Sequence, residues 1–367
     1  MKRRVLLVLA FAGLFFAGLA AQPSRYASEI ERARADAALL KAKRLPGLSV
    51  AVLISGAIVW SEGFGVADIE QQVPVTPMTR FRVGSVSKII TAAGLARLVE
   101  AGRIDLDAPI QKYVPSFPVK PWPMTVRQLA GHLAGVRHYT AKDFFGALKG
   151  APHFDTLTAG LAIFQDDPLL FEPGTSVGYS SYGWNVIGAA MEGASGENFL
   201  DYMQRAVFDP LGLRSLTGDR VRDILPSRTR FYSRDAQGVW SNAPAVDSSY
   251  KWPSGGFLAT ASDLARFGSA HLRPGFLKQA TLDLLFTSQR LVNGKETGVG
   301  IGWRIGVDDR GHRVFHHGGT IEGGRAMLML FPDQQVVVAM LANVLPDTGV
   351  PDFGEADAQR IGNLFIR

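Results

Sequence analysis

Apolar positions in this chain are bunched into short runs near its two ends and into longer, helix-like runs between them. Ser28 to Lys43 (SEIERARADAALLKAK) has a helical composition and stops at Pro46-Gly47, a pair that breaks regular structure. Leu48 to Ile54 and Ile58 to Gly65 then read as two strands joined at Ser55-Gly56. From Ser85 to about residue 250, helical segments alternate with Pro/Gly turns: Leu106 to Tyr113, Thr125 to Leu133, Leu157 to Phe164, Ser180 to Gly193 and Phe199 to Val207. Strand character returns in Gly300 to Val307, Arg313 to His317, Ala326 to Phe331 and Gln335 to Leu341, with Pro332-Asp333-Gln334 as a hairpin turn. A last helix covers Ala356 to Phe365.

Strands at both ends with helices between them predict an α/β fold. An antiparallel sheet is assembled from the two termini and flanked by the terminal helices, and an all-helical insertion sits between. Residues 21–84 and 260–367 form the sheet-and-helix part, residues 85–259 the helical part, and a cleft lies between them. Ligands usually bind in such clefts.

The segment at the junction carries chemistry. Phe81-Arg-Val-Gly-Ser85-Val-Ser-Lys88 opens a helix that continues through Ile89, Ile90, Ala92, Ala93, Leu95, Ala96, Leu98 and Val99, apolar nearly all round. A helix of that kind is buried. Residues three apart on a helix lie on one face, so Ser85 and Lys88 meet one turn apart. Burial disfavours the ammonium and lowers its pKa, and a lysine so depressed takes a serine proton. A second Ser-x-x-Lys, Ser248 to Lys251, runs into Trp252-Pro253-Ser254-Gly255-Gly256, where no helix continues.

Composition narrows the setting. With 367 residues, 47% of them hydrophobic and 20% charged, the chain can bury a large core. Met1-Lys-Arg-Arg4 followed by the apolar run Val5 to Ala20 reads as a secretory signal peptide, residues 1–20, cleaved after Ala20 or Ala21. That makes the mature protein periplasmic, with no stable membrane span. Removing Lys2, Arg3 and Arg4 lowers the formal charge from +6 to +3, and the remaining basic residues form no run, which argues against a nucleic-acid partner. No cysteine occurs, so disulfides and thiolate metal sites are excluded.

Two further segments look chemical. Phe171-Glu-Pro-Gly-Thr-Ser-Val-Gly-Tyr179-Ser180-Ser181 sets a tyrosine on a Pro/Gly-rich loop just before a helix, and Phe315-His316-His317-Gly318-Gly319-Thr320 sets histidines at the end of a strand. Adjacent strand residues point to opposite faces, and no carboxylate is spaced to join the histidines, so neither a metal nor a cofactor is expected. Taken together and in this order, the three segments resemble the serine β-lactamase and penicillin-binding-protein superfamily, in its class C-like branch. The likeness runs from about Pro46 to Leu345 and includes Met124 to Gly135 and Gly255 to Leu264. Gly135 to Tyr139, Asp201 to Gln204 and Val246 to Trp252 look especially like the mitochondrial members, regarded as serine proteases that form filaments.

The resemblance maps the family's Ser-x-x-Lys onto Ser85 to Lys88, its Tyr-x-Asn onto Tyr179 to Ser181, and its Lys/His-x-Gly onto His316 to Gly318. It implies an acyl-Ser85 intermediate, proton shuttling by Lys88 and Tyr179, and an oxyanion hole from the backbone N–H groups of Ser85 and Gly319. Ser181, His316, Gly318 and Gly319 are then the substrate-binding set. Lys295-Glu-Thr-Gly298 imitates the third motif with one residue too many and reads as loop. Ser181 in place of asparagine and His316 in place of lysine argue against an efficient β-lactam-degrading enzyme and favour peptides or esters. The competing readings are a true β-lactamase or D-Ala-D-Ala carboxypeptidase, and a slow-turnover self-assembling or sensor protein.

Overall fold

The computed structural model describes residues 25–42, 45–146, 148–150, 152–345 and 353–366. The expected leader, residues 1–20, lies outside them. In chain order the strands are β1 (Gly47–Ile54), β2 (Ala57–Asp68), β3 (Val73–Pro74), β4 (Phe81–Arg82), β5 (Thr217–Gly218), β6 (Tyr232–Arg234), β7 (Trp240–Asn242), β8 (Phe257–Ala259), β9 (Arg304–Val307), β10 (Arg313–Ile321), β11 (Gly324–Phe331), β12 (Val336–Ala342) and β13 (Val344–Leu345).

Seven of them form one sheet in the order β3-β2-β1-β12-β11-β10-β9. Its centre is the antiparallel pairing of β1 with β12, from Leu48 opposite Ala342 to Ile54 opposite Val336, which ties the two ends of the chain together. Both strands are apolar at nearly every position because both faces of the sheet are covered. On one face the helices Ala27–Ala42 and Glu355–Phe365 close over Leu48, Val50, Met329 and Val338. On the other, helices Ser87–Glu100, Ser181–Ser195 and Ala261–Ser269 share a core with Leu53, Leu328, Leu330 and Ala339.

The block 85–259 is helical in its first part and gains short strands from Thr217 onward. One small sheet orders β4-β8-β5 and another β13-β6-β7. Leu106 to Tyr113 keeps only the turn Ile110–Lys112. Asp105 Oδ1 accepts the Asp107 N–H at 2.9 Å, and Pro109 follows; both favour a loop over a helix. β10 runs four residues beyond its expected end, to Ile321, and that extension carries the site. No helix among the described residues is long and apolar enough to cross a membrane.

Candidate active site

Ser85 sits in the turn Gly84–Val86 that feeds the Ser87–Glu100 helix, so its hydroxyl stands at the helix mouth while Lys88 enters the core. Gly84 makes this placement possible. Its φ of +51° is a left-handed conformation, and a Cβ there would come within 2.8 Å of the Thr320 backbone nitrogen. Gly319 answers from β10: a Cβ on it would lie 1.9 Å from the Val83 carbonyl oxygen and 3.0 Å from the Ser85 nitrogen. Only glycine lets strand and nucleophile turn approach this closely, next to where the oxyanion hole is expected.

Lys88 is fully buried, and its ammonium has three acceptors, one for each hydrogen. Nζ donates to Ser85 Oγ at 3.0 Å, to Ser181 Oγ at 2.9 Å and to the Ser254 carbonyl at 2.8 Å. Tyr179 OH donates to Ser85 Oγ at 2.8 Å, and Lys88 Nζ lies 5.0 Å from the Tyr179 ring centre. Burial pushes the Lys88 pKa down, against the pull of Tyr179. Burial alone would push the Tyr179 phenol up, but the Lys88 charge and the hydrogen bonds from Lys88 and Ser85 outweigh it and hold the phenol below its ordinary value. A base and an acid on either side of one hydroxyl are thus drawn toward each other in proton affinity.

Tyr179 is held by the loop preceding its helix. Ser180 caps that helix by accepting the Gly183 N–H at 2.9 Å. The Ser180 and Ser181 N–H groups donate to Nδ1 of His132 and of His138, each at 3.2 Å. The two imidazoles pack on Tyr179, with ring centres 4.5 and 5.3 Å away. Both are held neutral, mainly by burial and then by the Lys88 charge, His132 at about 3 and His138 at about 4.

The third motif needs a correction of one residue. His316 lies on the covered outer face of the sheet, with Nε2 3.7 Å from Glu355 on the C-terminal helix. His317 takes the cleft face, its ring centre 6.5 Å from that of Tyr179. Two consecutive glycines let Lys/His-x-Gly fit in two registers, and alternation along β10 selects His317-Gly318-Gly319. His317 Nδ1 is 2.6 Å from the Gly318 carbonyl, which fixes the proton on Nδ1 and leaves Nε2 as an acceptor. Burial drives its pKa well down, so the ring is neutral. Ser181 also departs from its expected role. It is buried against Lys88, so it positions the lysine rather than meeting substrate in the open.

Sequence reasoning passed over His132, His138, His317, Ser254 and Arg304. Arg304 on β9 is exposed, its side chain makes no hydrogen bond or ion pair among the described residues, and its charge acts on Lys88, Tyr179, His132 and His317. No signal in the sequence singles Arg304 out, since it stands on an edge strand with no buried position. Among the described residues no group of three His, Asp or Glu side chains is placed to hold a metal ion.

The beta-lactamase family model matches residues 32–360, nearly the whole described chain. The chain belongs to the beta-lactamase family. The human mitochondrial serine beta-lactamase-like protein LACTB is 31% identical over 83% of this chain and 72% of its own length. Among solved structures, the octameric penicillin-binding protein homologue from Pyrococcus abyssi superposes with a TM-score of 0.77 at 22% identity, over 92% of this chain and 77% of that one. A D-stereospecific amidohydrolase from Streptomyces sp. gives 0.72 at 25% identity, over 86% and 94%. Hydrolases of the beta-lactamase family are acyl-transferring serine enzymes, and this chain has their fold.

Proposed function

We propose that this protein is an exported serine hydrolase that cleaves peptides or esters through an acyl-Ser85 intermediate. The observation that carries the reading is the pair of contacts on Ser85 Oγ, from Lys88 Nζ at 3.0 Å and Tyr179 OH at 2.8 Å. When either partner is in its basic form, Ser85 has an acceptor for its proton at hydrogen-bond distance. Ser85 Oγ then bonds to the substrate carbonyl carbon. The same proton passes to the departing nitrogen or oxygen as that bond breaks, and water reverses the sequence to free the acid.

The preference for peptides or esters over β-lactams now rests on different residues. His317 is neutral and meets the cleft where a lysine would carry charge, so the exposed cation whose charge reaches the site is Arg304 on the neighbouring strand. A flexible carboxylate-ended substrate can reach that guanidinium more readily than a rigid bicycle whose carboxylate is fixed. Family membership alongside a D-stereospecific amidohydrolase supports amide cleavage as the reaction type. Export is supported by the basic start and apolar run of residues 1–20, and self-assembly by the octameric penicillin-binding protein homologue that shares the fold. Exposure to a fluorophosphonate, followed by intact mass and peptide mapping, tests the central point: one adduct on Ser85 is expected, and an adduct elsewhere overturns the assignment. N-terminal sequencing of the native protein tests export, with Ala21 or Gln22 expected first, and sedimentation velocity tests assembly.

A further inference from the structure

The helix Val126–Ala130 ends on Gly131, and the residue after it, His132, is left-handed, with a φ of +63°. The Leu133 N–H donates to the Gln128 carbonyl at 2.7 Å, and the His132 N–H donates to the Leu129 carbonyl at 3.2 Å. These two bonds make the Schellman ending of a helix, whose left-handed position is ordinarily glycine because a Cβ there strains the backbone. Histidine is not the residue that this turn favours. Its presence is accounted for by what its side chain does.

The imidazole is buried, and His132 meets the Tyr179 segment at three places. Its carbonyl accepts the Gly178 N–H at 2.9 Å, its Nδ1 accepts the Ser180 N–H at 3.2 Å, and its ring centre lies 4.5 Å from that of Tyr179. One residue thus holds the backbone on both sides of the tyrosine and packs on the ring between. His138 takes only the Ser181 N–H, one position further on. An Nδ1 that accepts places the proton of the neutral ring on Nε2. Burial, then the Lys88 charge, hold the ring neutral down to about 3, so the acceptor persists at any pH well above that value. The phenol oxygen stands at the far end of a long side chain. A small turn of the backbone at residues 178–180 therefore carries it out of its 2.8 Å contact with Ser85 Oγ.

We propose that His132 is a positioning residue for acylation, whose imidazole, through Nδ1 on the Ser180 N–H, aims the Tyr179 hydroxyl at Ser85 Oγ. The inference rests on acylation of Ser85 with Tyr179 carrying a proton, and adds a residue that acts only through Tyr179. A misplacement of about 1 Å can cost ~10² in rate. A side chain with no chemistry of its own therefore controls the reaction by fixing where the phenol points, and the strained backbone of His132 is the local consequence.

The test is the rate constant for fluorophosphonate labelling of Ser85, followed by intact mass; misfolded protein lowers the end point and leaves the rate constant alone. His132→Asn sets an amide oxygen near the place of Nδ1 and suits a left-handed backbone. His132→Gln is closer to histidine in volume but carries its amide to the place of Nε2. His132→Asn is expected to label within about threefold of the native rate, and His132→Gln to lose at least about tenfold. A ring that served only as packing would give the reverse order. In a Tyr179→Phe background there is no hydroxyl to aim, so His132→Gln is expected to change the residual rate by less than about threefold. His132→Gly relieves the backbone and is expected to lose as much rate as His132→Gln, which keeps both comparisons open where the glutamine variant does not fold. An equal loss in the two backgrounds, no loss at all, or an asparagine variant as slow as the glutamine one overturns this inference alone. Native-like labelling of Tyr179→Phe overturns it too. Absence of labelling at Ser85 in the native protein overturns the serine-hydrolase reading itself, and this inference with it.

Discussion

Tyr179 reaches Ser85 across 94 positions of sequence to place its hydroxyl 2.8 Å from Oγ. The contact joins a loop of the helical block to the mouth of the nucleophile helix, and Lys88 meets the same oxygen from inside the core. Tyr179→Phe keeps the ring that packs on His132 and removes only the proton carrier. Its acylation rate is expected to fall by about 10²–10⁴, and Lys88→Ala by at least ~10². The rate of fluorophosphonate labelling, followed by intact mass, reads both. Native-like labelling of Tyr179→Phe would remove the phenol from the chemistry.

Ser181 holds one of the three hydrogens on Lys88 Nζ. Ser181→Ala leaves that hydrogen buried without an acceptor, at a cost of about 1–3 kcal/mol. Urea denaturation is expected to show the loss, together with slower acylation. Ser181→Thr, which returns a hydroxyl, should recover much of both. Equal stability of the alanine variant and the native protein would mean that Lys88 is neutral or otherwise satisfied.

His316 and His317 are neighbours in sequence with opposite fates, one against Glu355 and the other facing the cleft. His317→Ala is expected to lower kcat/KM for peptide substrates by tenfold or more, whereas His316→Ala changes stability alone. Arg304→Gln is expected to raise KM for carboxylate-ended substrates by about tenfold, the loss of one charge-assisted contact, and to spare neutral esters. Kinetics on paired acid and amide substrates check all three. A kinetic defect confined to His316→Ala would reverse the register assigned to the third motif.

Several histidines are buried in neutral form. Burial holds His132 at about 3 and His271 at about 4, and His317 well below its ordinary value. In the unfolded chain they titrate near ~6.5, so below that pH the unfolded state binds more protons than the folded one. Stability is therefore complete above pH ~6.5 and falls as the pH drops toward 4, by up to about 1.4 kcal/mol per pH unit for each such group. Melting curves between pH 4 and 7 at constant ionic strength read this slope. His271→Leu, away from the Ser85 site, is expected to flatten it; a slope unchanged by that substitution would assign the acid sensitivity to other groups.

The strands at both ends, the helical block between them and the spacing of Ser85 and Lys88 were legible in the sequence, because apolar periodicity and residue spacing are local properties. Tyr179 was legible only through the family pattern, since nothing within its own loop points to Ser85. The tertiary structure decided what local pattern leaves open. Which of two adjacent histidines enters the cleft depends on the register of β10 against β11, where Phe315 faces Leu330 and His316 faces Met329, and a shift of one residue inverts every side chain. Ser181 became a partner of Lys88, and Lys251 a partner of Glu322, because burying an ammonium requires acceptors that arrive from distant parts of the chain. Arg304 reads in sequence as one surface arginine among many. Its charge reaches Lys88, Tyr179 and His317 only because the pairing of β9 with β10 brings it there from a distant part of the chain.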